Sequence, residues 1–347
     1  MKGQRLKRPG RWVWRILAGV FLVGLGIQGI AYRHAGAMVR FVPGARRSGP
    51  PESLSLSEKL SALVSGVTLP RPVNRRDPAS LGFRYQTRTV TAADGTPLEV
   101  WELPATQESS TGDNPPPVVL MFHGYISCKA DLLPVAAEFH AMGFEVWMVD
   151  FRGSGGSGGM TTSIGFHEAE DVIAVDREAG ALFPDRPRVL FGSSMGAAAI
   201  LRAASLGRID AHALILECPF DRLLTTVANR CTLMGLPQFP IAHSLVFWGG
   251  FQLGFNGFAH NPEDYAARVR IPTLHLHGGR DTRVRLEEAE RIRDRLGSHG
   301  TWVLFPELGH QSYAVAAPGP WRLAVQGFLD RHLAQSERTG PSATQVP

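Results

Sequence analysis

The sequence predicts an α/β fold: a mostly parallel sheet of about eight strands with helices on both faces, a small helical cap, and one membrane-spanning helix at the front. Three observations carry this. Six short apolar runs, VVLMFHG, FEVWMVD, RVLFGSS, ALILECP, TLHLHG and TWVLFPE, alternate with segments of helical spacing, the order that builds βαβ units. The runs are almost continuously apolar, as strands covered on both faces are. The charge is also divided. Residues 1–47 hold ten Lys/Arg and no acid, while the other 300 hold 26 Lys/Arg against 31 Asp/Glu.

That division disposes of the nucleic-acid reading that a net charge of +5 invites. The basic excess belongs to the front end, and the body is mildly acidic. Ample apolar content excludes a disordered chain, and three cysteines exclude a disulfide scaffold. Cys128, Cys218 and Cys231 are too scattered for a metal knuckle and read as small buried residues.

Taken in order, residues 1–15 form a basic N-terminus ahead of an uncharged stretch, ILAGVFLVGLGIQGIAY, at 16–32. As a helix it spans roughly 25 Å, the short end of what crosses a bilayer. Trp12 and Trp14 suit the headgroup belt, and the basic flank favours a cytoplasmic N-terminus with the body outside, periplasmic in a Gram-negative cell. A cleaved secretory signal is the rival reading, with Ala35-Gly36-Ala37 as its cleavage site. Residues 33–82 read as a proline-broken linker and collar with one short helix after Ser57. The main domain follows at 83–333. It opens with a hairpin around Asp94-Gly95, FRYQTRTVT and PLEVWEL, and continues with the six strand–helix units. A cap fills about 221–271, and a polar tail covers 334–347.

Chemistry in such sheets sits at the C-terminal strand ends. Strand RVLFG runs into Gly192-Ser193-Ser194-Met195-Gly196, and the helix AAAILRAAS follows at once. This is G-x-S-x-G in the strand–turn–helix context the motif requires. It puts the Ser194 hydroxyl on a sharp turn and the Met195 N–H at an anion-favouring helix N-terminus. A serine hydroxyl needs a base, and His310 in Glu307-Leu308-Gly309-His310 follows the last strand. The orienting acid should lie between them in the chain. Asp281 in GGRDTRV fits, with Asp221 after the preceding strand as the alternative. His275 and His277 alternate with apolar residues inside their strand and read as structural. The glycine-rich DFRGSGGSGG has no Lys-Ser/Thr after it and is not a phosphate loop. No cofactor, nucleotide or metal is expected.

The residues His123-Gly124-Tyr125, DFRGSGGSGG at 150–159, FGSSMG, ECPFD at 217–221, GGRD at 278–281 and GH at 309–310 resemble the α/β-hydrolase superfamily. Within it the chain looks like the membrane-anchored branch labelled serine-aminopeptidase-like (S33) or Bem46-like. The resemblance spans about 83–333. It implies an oxyanion hole formed by the backbone N–H groups of Tyr125 and Met195, with His123 as a positional residue of that loop. It further implies a serine hydrolase that cleaves a carboxylic ester through an acyl-enzyme. Peptidase, thioesterase and acyltransferase chemistry, or a catalytically silent binding protein, stand as alternatives. The cap carries Phe239, Phe247, Trp248, Phe251, Phe255 and Phe258. Most of them are expected to bury the cap against the body. An apolar lid suits a small acyl substrate, lipid-like beside a bilayer.

Overall fold

The computed structural model describes residues 10–45, 68–106 and 115–336, with Ser55, Ser57 and Gly66 between them. The short helix expected after Ser57 and the end of the polar tail lie outside the described residues.

Helix α1 (Arg11–Val39) has 29 residues, about 44 Å of helix. It is long and apolar enough to cross a membrane and extends past 16–32 at both ends. Its C-terminal turns carry small residues where another helix crosses: a Cβ on Gly36 would lie 2.5 Å from Gln252 Oε1. Strand β1 (Phe41–Val42) then pairs with β2 (Leu69–Pro70), so the chain leaving the helix is stitched to the collar. Beyond β2, the Arg71 guanidinium donates to the Gly159 carbonyl at 2.6 Å and also to that of Ser157.

The hairpin β3 (Gln86–Thr91) and β4 (Pro97–Leu103) turns at Asp94-Gly95, where Gly95 has φ +85°. Then come β5 (Val118–Phe122), α2 (Leu133–Ala141), β6 (Glu145–Val149), α3 (Glu168–Leu182), β7 (Arg188–Ser193), α4 (Met195–Ser205) and β8 (Ala213–Glu217). The cap helices α5 (Leu223–Leu233) and α6 (Ile241–Leu253) precede the short α7 (Pro262–Ala266), which packs on α4. The chain closes with β9 (Thr273–Gly278), α8 (Leu286–Leu296), β10 (Gly300–Phe305), α9 (Tyr313–Ala316) and α10 (Pro318–Ser336).

The eight strands lie in the order β10-β9-β8-β7-β5-β6-β4-β3, parallel except at β4 and β3. The apolar strands serve two cores at once. In β5, Val118, Leu120 and Phe122 join the layer beneath α3, α4 and α8, while Val119 and Met121 join the layer beneath α2 and α10. After β5 the chain goes first to β6 on one side and then to β7 on the other. The order therefore reverses between β5 and β7, and a crevice opens there at the strand ends. Phe122 is level with Gly192, so the residues after β5 and the turn after β7 are neighbours.

The cap corrects one expectation. Phe239, Phe247, Phe251 and Phe258 are not buried against the body; they are 72, 51, 66 and 39% exposed. Only Phe255 turns inward to stack on Phe166, and Trp248 rests on Tyr32 of α1. The reason is that α6 is occupied on one side by α5 and on another by α1, which leaves its aromatic face outward.

Candidate active site

The turn after β7 is strained. Ser194 has φ +52° and ψ −108°, a conformation that costs about 1–3 kcal/mol. Glycines make it fit: a Cβ on Gly192 would lie 2.6 Å from the Ala197 nitrogen, and one on Gly196 2.3 Å from the Phe122 carbonyl oxygen. The Ser194 N–H donates to the Glu217 carbonyl at 2.8 Å, pinning the turn to β8. The hydroxyl lies in hydrogen-bond contact with His310 Nε2, 3.1 Å away.

His310 Nδ1 lies 2.7 Å from Asp281 Oδ2. Loop packing brings the two together, because the Arg280 N–H donates to the Leu308 carbonyl at 2.9 Å. The other Asp281 oxygen accepts the N–H groups of Arg283 and Val284 at 2.8 and 2.9 Å. Burial opposes ionisation of Asp281, but His310 and these N–H groups outweigh it and hold the carboxyl below its ordinary range. An ionised Asp281 requires Nδ1 to carry the proton, which leaves Nε2 as acceptor for Ser194. Asp221 is elsewhere: it accepts Arg291 Nε and Nη2 at 2.9 and 2.7 Å. His275 and His277 are fully buried against Trp302.

On the other side of Ser194 lies the turn after β5, where a Cβ on Gly124 would stand 3.7 Å from the Ser194 Cβ. His123 locks this turn. Its Nε2 accepts the Phe151 N–H at 3.1 Å and its Nδ1 lies 2.8 Å from the Gly124 carbonyl, a neutral imidazole whose pKa burial lowers. The Tyr125 hydroxyl donates to the Met38 carbonyl at 2.5 Å, satisfying one of the last open carbonyls of α1. The next residue, Ile126, is β-branched yet has φ +56°, which persists only where neighbours hold it.

The DFRGSGGSGG loop does not line the cavity around Ser194; Asp150 ties it to the segment after Tyr125. This carboxylate accepts the Lys129 N–H at 2.8 Å, Asn74 Nδ2 at 2.7 Å and the Gly156 N–H at 3.0 Å. It is also paired with the fully buried Lys129 ammonium, which bonds Glu99 at 2.6 Å. Burial opposes the Asp150 charge, and Lys129 overcomes it.

Tyr125, Ser194 and His310 share a cavity of about 200 Å³. Glu217, Arg230 and Arg283 also line it, and burial pushes the Glu217 carboxyl up to about 8 against the Trp321 N–H that it accepts. The sequence reading missed the two arginines, since one charge on a polar-faced helix and one in a loop carry no motif. It also missed Gln28 of α1, although an amide inside an otherwise apolar run was a visible signal. Cys218, Asp281 and His310 place possible ligand atoms within 4.8 Å of one another. Two of the three are bonded to each other, and burial raises the Cys218 thiol well above its ordinary value.

A strained serine at a strand–helix turn, at the switch point of an eight-stranded sheet, defines the class as α/β-hydrolase. Comparisons agree. A family model described as "Serine aminopeptidase, S33" matches residues 113–239. The protein YfhR of Escherichia coli strain K12 is 28% identical over 247 residues, 70% of this chain and 74% of YfhR. A monoacylglycerol lipase of Mycolicibacterium smegmatis is 23% identical over 232 residues, 58% of this chain and 83% of that lipase. A Pyrococcus furiosus esterase superposes with a TM-score of 0.62 at 26% identity, covering 76% of this chain and 97% of the esterase. The chain belongs to the α/β-hydrolase superfamily.

Proposed function

We propose that the protein is a membrane-anchored serine hydrolase of carboxylic esters. The observation that carries this is the unbroken relay from Ser194 Oγ to His310 to Asp281. Ser194 attacks the acyl carbonyl while His310 Nε2 takes its proton, and Asp281 stabilises the imidazolium. The N–H groups of Tyr125 and Met195 bind the oxyanion, each contributing on the order of 3 kcal/mol. His310 then protonates the leaving alkoxide, and water activated by the same imidazole releases the acid. The α1 helix is retained as an anchor, with its basic flank in the cytoplasm and the body outside.

The family model's description supports aminopeptidase chemistry as a second reading. The lining of the cavity opposes it. Two guanidinium groups, Arg230 and Arg283, stand there against the single carboxylate of Asp131, and burial pushes the Glu217 carboxyl up to about 8, so that it is largely uncharged at pH 7. A substrate ammonium meets repulsion there. The test is fluorophosphonate labelling followed by rates on p-nitrophenyl esters beside aminoacyl-p-nitroanilides. Wild type should label and cleave the esters, and Ser194→Ala should do neither. Equal labelling of Ser194→Ala, or cleavage of anilides alone, overturns the proposal.

A further inference from the structure

Residues 231–262 contain no Asp, Glu, Lys or Arg. They include α6, and α6 runs beside α1 in the same direction. Gln28 Nε2 donates to Ser244 Oγ at 3.1 Å, and its Oε1 accepts the Trp248 indole N–H at 2.8 Å. Further along, Gln252 Nε2 donates to the Tyr32 carbonyl at 2.8 Å, beside Gly36. These pairs fix the register between the helices and so give the depth of the cap. Gln28 lies four residues inside the end of the uncharged run at 16–32, about 6 Å into it. Phe247 stands near the same level. Ile241, five residues before Val246, the midpoint of the two Gln28 partners Ser244 and Trp248, stands about 8 Å deeper than that.

We infer that α6 with the Phe239-Pro240 turn is a second membrane element, embedded in the hydrocarbon of the leaflet on the body side, and that the cleft takes a lipid acyl ester from that leaflet. Three observations name the occupant. The exposed aromatic face of Phe239 and Phe247 is continuous with α1, whose apolar surface is itself exposed. The Gln28 amide, costly in a bilayer if left alone, is satisfied by α6 on both its oxygen and its nitrogen. The depth, from about 6 Å at Phe247 to about 14 Å at Ile241, keeps α6 within the body-side half of a hydrocarbon core about 30 Å thick. His243 is the one ionisable side chain on this face, and it lies between the rings of Phe239 and Phe258. The seam beneath is apolar, a cavity lined by Met38, Val39, Val227, Leu245, Val246 and Phe255 among others. It adjoins the catalytic cleft at Tyr125, whose hydroxyl bonds Met38.

The substrate part of this inference rests on the ester-hydrolase reading; the depth part does not. Full-length protein in phosphatidylcholine vesicles is the test. Phe247→Cys carrying a nitrobenzoxadiazole label should show blue-shifted emission quenched by doxyl lipids, like Phe21→Cys in α1. Glu287→Cys on the body should stay water-like, with wild type as the blank for the buried native cysteines. Water-like emission at position 247 overturns the inference. In the second arm, Phe239→Glu with Phe247→Glu should slow turnover of vesicle-held p-nitrophenyl palmitate by at least about tenfold, leaving soluble p-nitrophenyl acetate within about twofold. An equal loss on both esters, or no loss on palmitate, overturns the lipid route. If wild type cleaves neither ester, the hydrolase reading and the lipid substrate fall together, while the label still decides the depth.

Discussion

At the scale of single residues, the site depends on a hydrogen bond that no motif describes. Tyr125 is proposed to stabilise the oxyanion with its backbone N–H, and its hydroxyl is tied to the last turn of α1. With Ile126 strained beside it, the loop is held by that tie. Tyr125→Phe removes the tie and leaves the N–H. Oxyanion contacts act in the transition state, so kcat should fall about tenfold with KM for p-nitrophenyl acetate unchanged. An unchanged kcat means that the hydroxyl is only a helix cap. Lys129 works differently, because its buried pairing with Asp150 joins the glycine loop, the collar and the segment after Tyr125. Deleting one partner of such a pair leaves a buried charge uncompensated.

At the scale of elements, α1 is more than a tether. Its C-terminal half is clasped by α6, and its end is stitched to the collar through β1 and β2. Ala35-Gly36-Ala37, the small-residue site that a cleaved signal would use, lies inside the helix, with Ala35 buried. The orientation proposed for α1 places the body outside the cytoplasm. An alkaline phosphatase fused to the C-terminus should be active there, whereas a cytoplasmic reporter at the same point should be silent; the reverse pattern refutes it. The hairpin β3–β4 and the six parallel strands were legible because alternation and continuous apolarity are local properties. The outward face of α6 was not, since its aromatics look alike whether they meet the body or a lipid.

At the scale of the whole molecule, buried carboxyls set how stability varies with pH. Glu217 is pushed up to about 8 by burial, against 4.5 for an ordinary glutamate. The folded chain thus binds this proton more tightly than the unfolded chain. Its contribution is complete below pH 4.5, shrinks as pH rises and is gone above about 8. Asp171 and Glu288, each raised to about 7 chiefly by burial, slope the same way. Glu217→Gln should therefore flatten the decline of Tm between about pH 5 and pH 8 without abolishing it. Identical slopes for wild type and variant in detergent-solubilised protein would refute the assignment.

The sequence by itself determined the sheet, the strained turn at Ser194 and the identity of a basic, apolar front end. Each of these is written in neighbouring residues through periodicity, glycine placement and charge. Only the tertiary structure separated Asp281 from Asp221, because both follow strands and only packing of the loops after β9 and β10 brings Asp281 against His310. It also decided that α1, the cap and the Tyr125 loop form one connected assembly. Those contacts join residues 87 and 220 positions apart, a separation at which side-chain chemistry is complementary only once the chain has folded.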